Sequence, residues 1–98
     1  MARFTTHDGL ELAFERSGRG TPLVLVHGNG FCKEVWRPVT RLTSGFEAVA
    51  VDQRGHGGSQ VGPPPFDWWD LGRDLLALID RLELPAPRVG LGHSSGGA

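Results

Sequence analysis

The residues Gly92-His93-Ser94-Ser95-Gly96 form a G-x-S-x-G pattern, and Ser94 at its centre is the best-placed nucleophile in the chain. A serine hydroxyl becomes useful for acyl chemistry when a sharp strand-to-helix turn lifts it out of a sheet. Such a turn strains the backbone and brings neighbouring segments so close that flanking side chains would collide, which is why glycine is needed there. The turn also sets the hydroxyl at the amino end of the next helix, where the dipole and free N–H groups favour developing negative charge. The same five residues fit a Ser/Gly-rich loop or a helix N-cap, so the decision rests on what lies upstream.

Two upstream blocks supply that context. His27-Gly28-Asn29-Gly30 follows an apolar run, the place for a loop of small residues that folds back and points a backbone N–H at a substrate carbonyl oxygen. Asp52-Gln53-Arg54-Gly55-His56-Gly57-Gly58-Ser59 leaves a second apolar run, and Asp52 and Arg54 are expected to brace that loop rather than react.

The elements that must position these blocks can be read from periodicity. Residues 4–6 and 10–16 flank Asp8-Gly9, a tight-turn dipeptide, and Leu10, Leu12 and Phe14 alternate with Glu11, Ala13 and Glu15, as in a half-buried strand of a hairpin. Residues 17–20 form a loop. Residues 23–26 and 48–51 are uninterrupted apolar runs, suited to parallel strands covered on both faces. Between them Trp36, Val39 and Leu42 have helical spacing, with Pro38 marking the start. After a proline-rich loop at 62–65, residues 67–82 form the clearest helix, with Trp68, Leu71, Leu75, Leu78, Ile79 and Leu82 on one face. Pro85 and Pro87 end it, residues 88–92 form the last strand, and residues 94–98 open another helix. The alternation predicts an α/β fold, an antiparallel hairpin followed by parallel strands with crossover helices, in one unit without repeats.

The order H-G-x-G, D-x-R-G-x-G-x-S and G-H-S-x-G-G, each at a predicted strand end, resembles the α/β-hydrolase superfamily, in its serine-nucleophile, esterase- and lactonase-like branch. The resemblance implies that Ser94 is the nucleophile. It implies that the backbone N–H groups of Asn29 and Ser95 form the oxyanion hole, with Gly30 the alternative to Asn29. It further implies hydrolysis of a carboxylic ester, thioester or lactone through an acyl-enzyme, with no cofactor and a small-molecule acyl substrate as partner.

The sequence departs from that pattern in one respect. A serine needs a base to remove its proton, and the family's triad runs Ser, then Asp or Glu, then His along the chain. His7, His27, His56 and His93 all precede Ser94, as does every carboxylate. The side chain of His93 is expected to turn away from the site as a packing residue, His27 to bond within its loop, and His56 to sit in the bracing turn. Residues 1–98 are therefore expected to be a partial domain ending just past the elbow, inactive alone, with an unpaired apolar sheet edge that favours instability or aggregation.

Composition narrows the remaining classes. A hydrophobic share of 39% supports a core and argues against a disordered chain, and a net charge of −1 leaves no electrostatic footprint for nucleic acid or an anionic membrane. No apolar run is long enough to span a bilayer, and no secretory leader is recognisable at the start. With Cys32 alone, an internal disulfide is impossible, and a soluble cytoplasmic protein is expected. Cys32 is read as a bystander thiol, and no histidine or cysteine spacing supports a metal. Trp36 and Trp68 are expected in the core, while Trp69 lies off the apolar face and is available to a pocket or partner. Nucleotide binding fails because residues 90–95 miss the final glycine of G-x-G-x-x-G and no P-loop occurs. The alternatives kept open are a non-catalytic module and other activities of the fold, including perhydrolase, carbon–carbon hydrolase and aminopeptidase. The oligomeric state is not legible.

Overall fold

A computed structural model describes residues 2–65 and 67–97. It contains one five-stranded sheet, formed by β1 (Ala2–Thr5), β2 (Glu11–Gly18), β3 (Thr21–Val26), β4 (Phe46–Val51) and β5 (Val89–Gly92). The spatial order is β1-β2-β4-β3-β5, with β1–β2 and β2–β4 antiparallel and β3–β4 and β3–β5 parallel. This is the expected hairpin followed by parallel strands.

The apolar runs of β3 and β4 are buried on both faces because different layers cover them. Val24, Val26, Val49 and Val51 point to one side, where Leu12, Phe14, Ala77 and Leu78 complete the larger core. Leu23, Leu25, Ala48 and Ala50 point to the other, under Trp36. Period-two alternation thus feeds two cores from the same strands.

The helix on the larger core is α2 (Trp68–Leu82). The Asp67 carboxylate accepts from the Trp69 N–H at 2.9 Å and caps its first turn, and Glu83 ends it in the left-handed conformation at φ 52°. Leu78 is fully buried, while Leu75, Ile79 and Leu82 pack beside it. Burying a leucine side chain contributes roughly 1.5–3 kcal/mol, so this stripe holds the helix to the sheet.

Four expectations need correction. Trp68 is 64% exposed, because it stands in the first turn of α2, beside the candidate site rather than over the core. The helix expected around Pro38 is short: a 3₁₀ turn, Lys33–Trp36, leads into a single α turn, α1 (Arg37–Thr40), which ends before Leu42, 86% exposed. Strand β2 extends through Gly18, which pairs with Glu47, so the loop after it is only Arg19 and Gly20. Ala13 is buried although alternation faced it outward, because β2 is an interior strand and the 52–60 segment lies along it, with Ser59 Oγ accepting from the Ala13 N–H at 2.8 Å.

Candidate active site

Strand β5 delivers the G-x-S-x-G segment. Its last residue pairs with Val26, and the His93 N–H continues the ladder to the Val26 carbonyl at 3.0 Å. The chain then reverses at Ser94, whose φ is +55°, a left-handed conformation that costs a non-glycine residue energy. Two glycines make the reversal possible. A Cβ on Gly92 would stand 2.3 Å from the Gly96 carbonyl oxygen, and one on Gly96 would stand 2.3 Å from that of Val26. Ser94 is exposed at the apex. Of the helix expected to follow, the described residues form a 3₁₀ turn, Ser94–Gly97. The position of Ala98, where that helix was expected to continue, lies outside the described residues.

The loop after β3 meets this elbow. The Phe31 N–H donates to the Gly28 carbonyl at 3.1 Å, and Gly30 takes φ +86°, the combination of a type II turn with glycine at its third position. Within that turn the two candidate amides point to different partners. The Asn29 N–H donates to Ser95 Oγ at 2.9 Å, whereas the Gly30 N–H donates to His56 Nε2 at 3.1 Å. Asn29 is the amide turned toward the elbow.

His27 sits beneath the turn, fully buried. Its Nδ1 lies 2.8 Å from the Gly28 carbonyl, which can only accept, and its Nε2 accepts from the Gln53 N–H at 3.0 Å. The ring is therefore the neutral tautomer protonated at Nδ1. Burial pushes it below the ordinary histidine range, and the nearby His56 works in the same direction. The Gln53 amide also donates to the His27 carbonyl at 2.8 Å, tying the 52–59 loop to the 27–31 turn.

That second loop is braced as expected. Asp52, fully buried, accepts from the Lys33 N–H at 2.7 Å, the Lys33 ammonium at 3.0 Å and the Gly58 N–H at 2.9 Å. Arg54 donates twice to Asp74 of α2, at 2.8 and 2.7 Å, and reaches Asp8 in the hairpin turn at 3.1 Å. The hydrogen-bonded Asp74 carboxylate holds the guanidinium even more firmly charged than usual.

Lys33 carried no sequence signal, yet only 2% of it is exposed. Burial works against its charge, but Glu34 and Asp52 outweigh that and raise it above the ordinary lysine range. Cys32, Glu34 and Asp52 bring three metal-capable atoms within 4.8 Å of one another, and the Lys33 ammonium bridges the two carboxylates among them, at 2.8 and 3.0 Å. The Cys32 thiol is held protonated, chiefly by its hydrogen bond to Glu34 and secondly by burial.

None of the four histidines bonds Ser94 among the described residues. His7 lies 3.6 Å from Asp80 on the surface. His93 is exposed rather than buried as packing, its ring edge-on to Phe31 with centroids 5.7 Å apart. His56 places Nδ1 3.1 Å from the Arg54 carbonyl. Asn29, Gln53, His56, Trp68, Leu71 and Ser95 line a cleft of about 180 Å³, and Trp69, 76% exposed, lines a neighbouring groove of about 270 Å³ with Leu75 and Gly96. Ser95, the residue after the elbow's apex, lines both the cleft and the groove.

The alpha/beta hydrolase family profile matches residues 23–98. Non-heme chloroperoxidase CPO-A1 of Kitasatospora aureofaciens is 32% identical over 95 residues, which are 95% of this chain and 34% of that protein. A thermophilic esterase from Thermogutta terrifontis superposes with a TM-score of 0.86 at 36% identity, over 98% of this chain and 37% of its own. The enol-lactonase from Burkholderia xenovorans LB400 gives 0.88 at 29% identity, over 98% and 38%. The chain spans about a third of the length of the curated relatives it matches first. No described helix is long and apolar enough to cross a membrane. With its sheet order, its glycine-lined elbow and a profile match over most of its length, the chain belongs to the alpha/beta hydrolase family.

Proposed function

We propose that this chain supplies the nucleophile and oxyanion hole of a serine hydrolase acting on a carboxylic ester, thioester or lactone. The observation that carries this reading is the strained backbone of Ser94, at φ +55°, on an elbow whose next residue contacts the Asn29 amide. Strain of this kind needs a return, and exposing a hydroxyl beside backbone donors is one. Ser94 Oγ attacks the acyl carbonyl, and the carbonyl oxygen takes the place of Ser95 Oγ at the Asn29 N–H. The Ser95 N–H is the second donor to the resulting oxyanion. A base takes the Ser94 proton as the new bond forms and returns it to the departing oxygen or sulfur, leaving an acyl-serine, and water activated by the same base then cleaves this to the carboxylic acid and free Ser94. This reading requires such a base at Ser94, and none of the described histidines bonds that hydroxyl.

The intact protein should hydrolyse p-nitrophenyl acetate, and Ser94→Ala should lower kcat by at least about a thousandfold. Turnover by that variant within about tenfold of the parent would remove Ser94 from the chemistry. The chloroperoxidase relative favours a second reading, in which hydrogen peroxide takes the acyl group instead of water. Peracid formation from acetate and peroxide, lost in the same variant, distinguishes the two.

A further inference from the structure

We infer that His56 is a positioning residue for the oxyanion hole, acting through the Gly30 amide; this rests on the serine-hydrolase reading above. The 28–31 turn carries two adjacent N–H groups that compete for one oxygen-binding place. His56 Nε2 accepts from the Gly30 N–H at 3.1 Å, leaving the Asn29 N–H as the donor facing the elbow. The imidazole can do this because its other nitrogen is anchored. Nδ1 faces the Arg54 carbonyl at 3.1 Å, which accepts only, and Nε2 faces the Gly30 N–H, which donates only, so these two partners are satisfied together with the proton on Nδ1.

The anchor is stiff. Arg54 is locked by its two bonds to Asp74, and the neighbouring Gln53 is bonded twice to His27. The His56 ring also lies against that of His27, with centroids 4.9 Å apart, and the Asn29 Oδ1, itself an acceptor, lies 3.1 Å from Nε2 and receives no proton from it while Nε2 takes the Gly30 N–H. A residue whose acceptor is already engaged by Gly30 cannot serve as the base for Ser94. Its role is to hold a peptide plane, and a small misplacement of such a plane is costly to catalysis.

The test compares His56→Phe, which keeps a ring but removes the acceptor, with His56→Gln, which places an acceptor near the Nε2 position. Both are made in the intact protein and read by residue-resolved amide exchange and by ester hydrolysis. In His56→Phe, Gly30 exchange should rise at least about tenfold while β3 and β4 amides stay protected, and kcat should fall about ten- to a hundredfold with KM changed less than about threefold. In His56→Gln both values should return to within about threefold of the parent. Unchanged Gly30 exchange and kcat in His56→Phe, or equal damage in both variants, would overturn the proposal. If His56→Phe does not fold, an unprotected Gly30 amide in the parent protein overturns it equally. Failure of the underlying reading is separate, since it is registered by hydrolysis surviving Ser94→Ala.

Discussion

The two loops that meet at the candidate site are built on opposite plans. The elbow at 92–97 is a local device, made by two glycines and one left-handed serine at the end of β5, whose four residues are all exposed and pair only with β3 among the described residues. The 27–31 turn is a long-range device. It is held by His27 on Gln53, by Gly30 on His56 and by Asn29 on Ser95, contacts that span 26, 26 and 66 positions of sequence. The shape of the Ser94 elbow therefore depends on backbone sterics, and that of the 27–31 turn on polar groups satisfied from elsewhere in the chain. Perturbing the polar scaffold should disturb the fold and the 27–31 turn together, while changes to the outer face of β5 should do little.

The largest expected effect comes from Arg54, whose side chain is 5% exposed and paired with Asp74, 6% exposed. Arg54→Met leaves a buried carboxylate without its partner and should cost about 3–5 kcal/mol, read as a lower urea midpoint. A loss under about 1 kcal/mol would mean that the 52–59 loop is not the scaffold described here.

A smaller effect should appear with pH. The folded-state pKa of His27 lies below its ordinary 6.5, chiefly because of burial. The unfolded chain then binds more protons, so stability is full above about pH 6.5 and declines as pH falls from there toward the folded value. Urea midpoints should drop on acidification through this window, and His27→Gln should flatten that part of the profile. An unchanged slope in the variant would assign the proton uptake to another group.

The smallest effect is expected in β5. Leu91 is 44% exposed, so Leu91→Thr, which keeps strand propensity, should shift stability by no more than about 0.5 kcal/mol. A loss comparable to that of Arg54→Met would erase the contrast between the two loops.

Much of the architecture was legible because each signal is local. Asp8-Gly9 turns the hairpin, the runs at 23–26 and 48–51 form doubly buried strands, and the leucine stripe gives α2. Local signals failed where neighbours decide the outcome. Nothing in the spacing of Trp68 distinguished a core residue from a cleft residue, and nothing near Lys33 announced an ammonium buried between two carboxylates.

The chain's own order of residues determined that Ser94 sits on a sharp bend, because a bend that excludes a Cβ on both sides can be written only with glycine. Which amide of the 28–31 turn faces the elbow was left open by the sequence, since Asn29 and Gly30 are adjacent and both carry a donor. Tertiary structure decided it by satisfying each N–H with a different distant acceptor, Ser95 for one and His56 for the other. Both amides lie at an exposed turn where water could serve them equally well, so the protein acceptor each one finds depends on how the whole sheet folds.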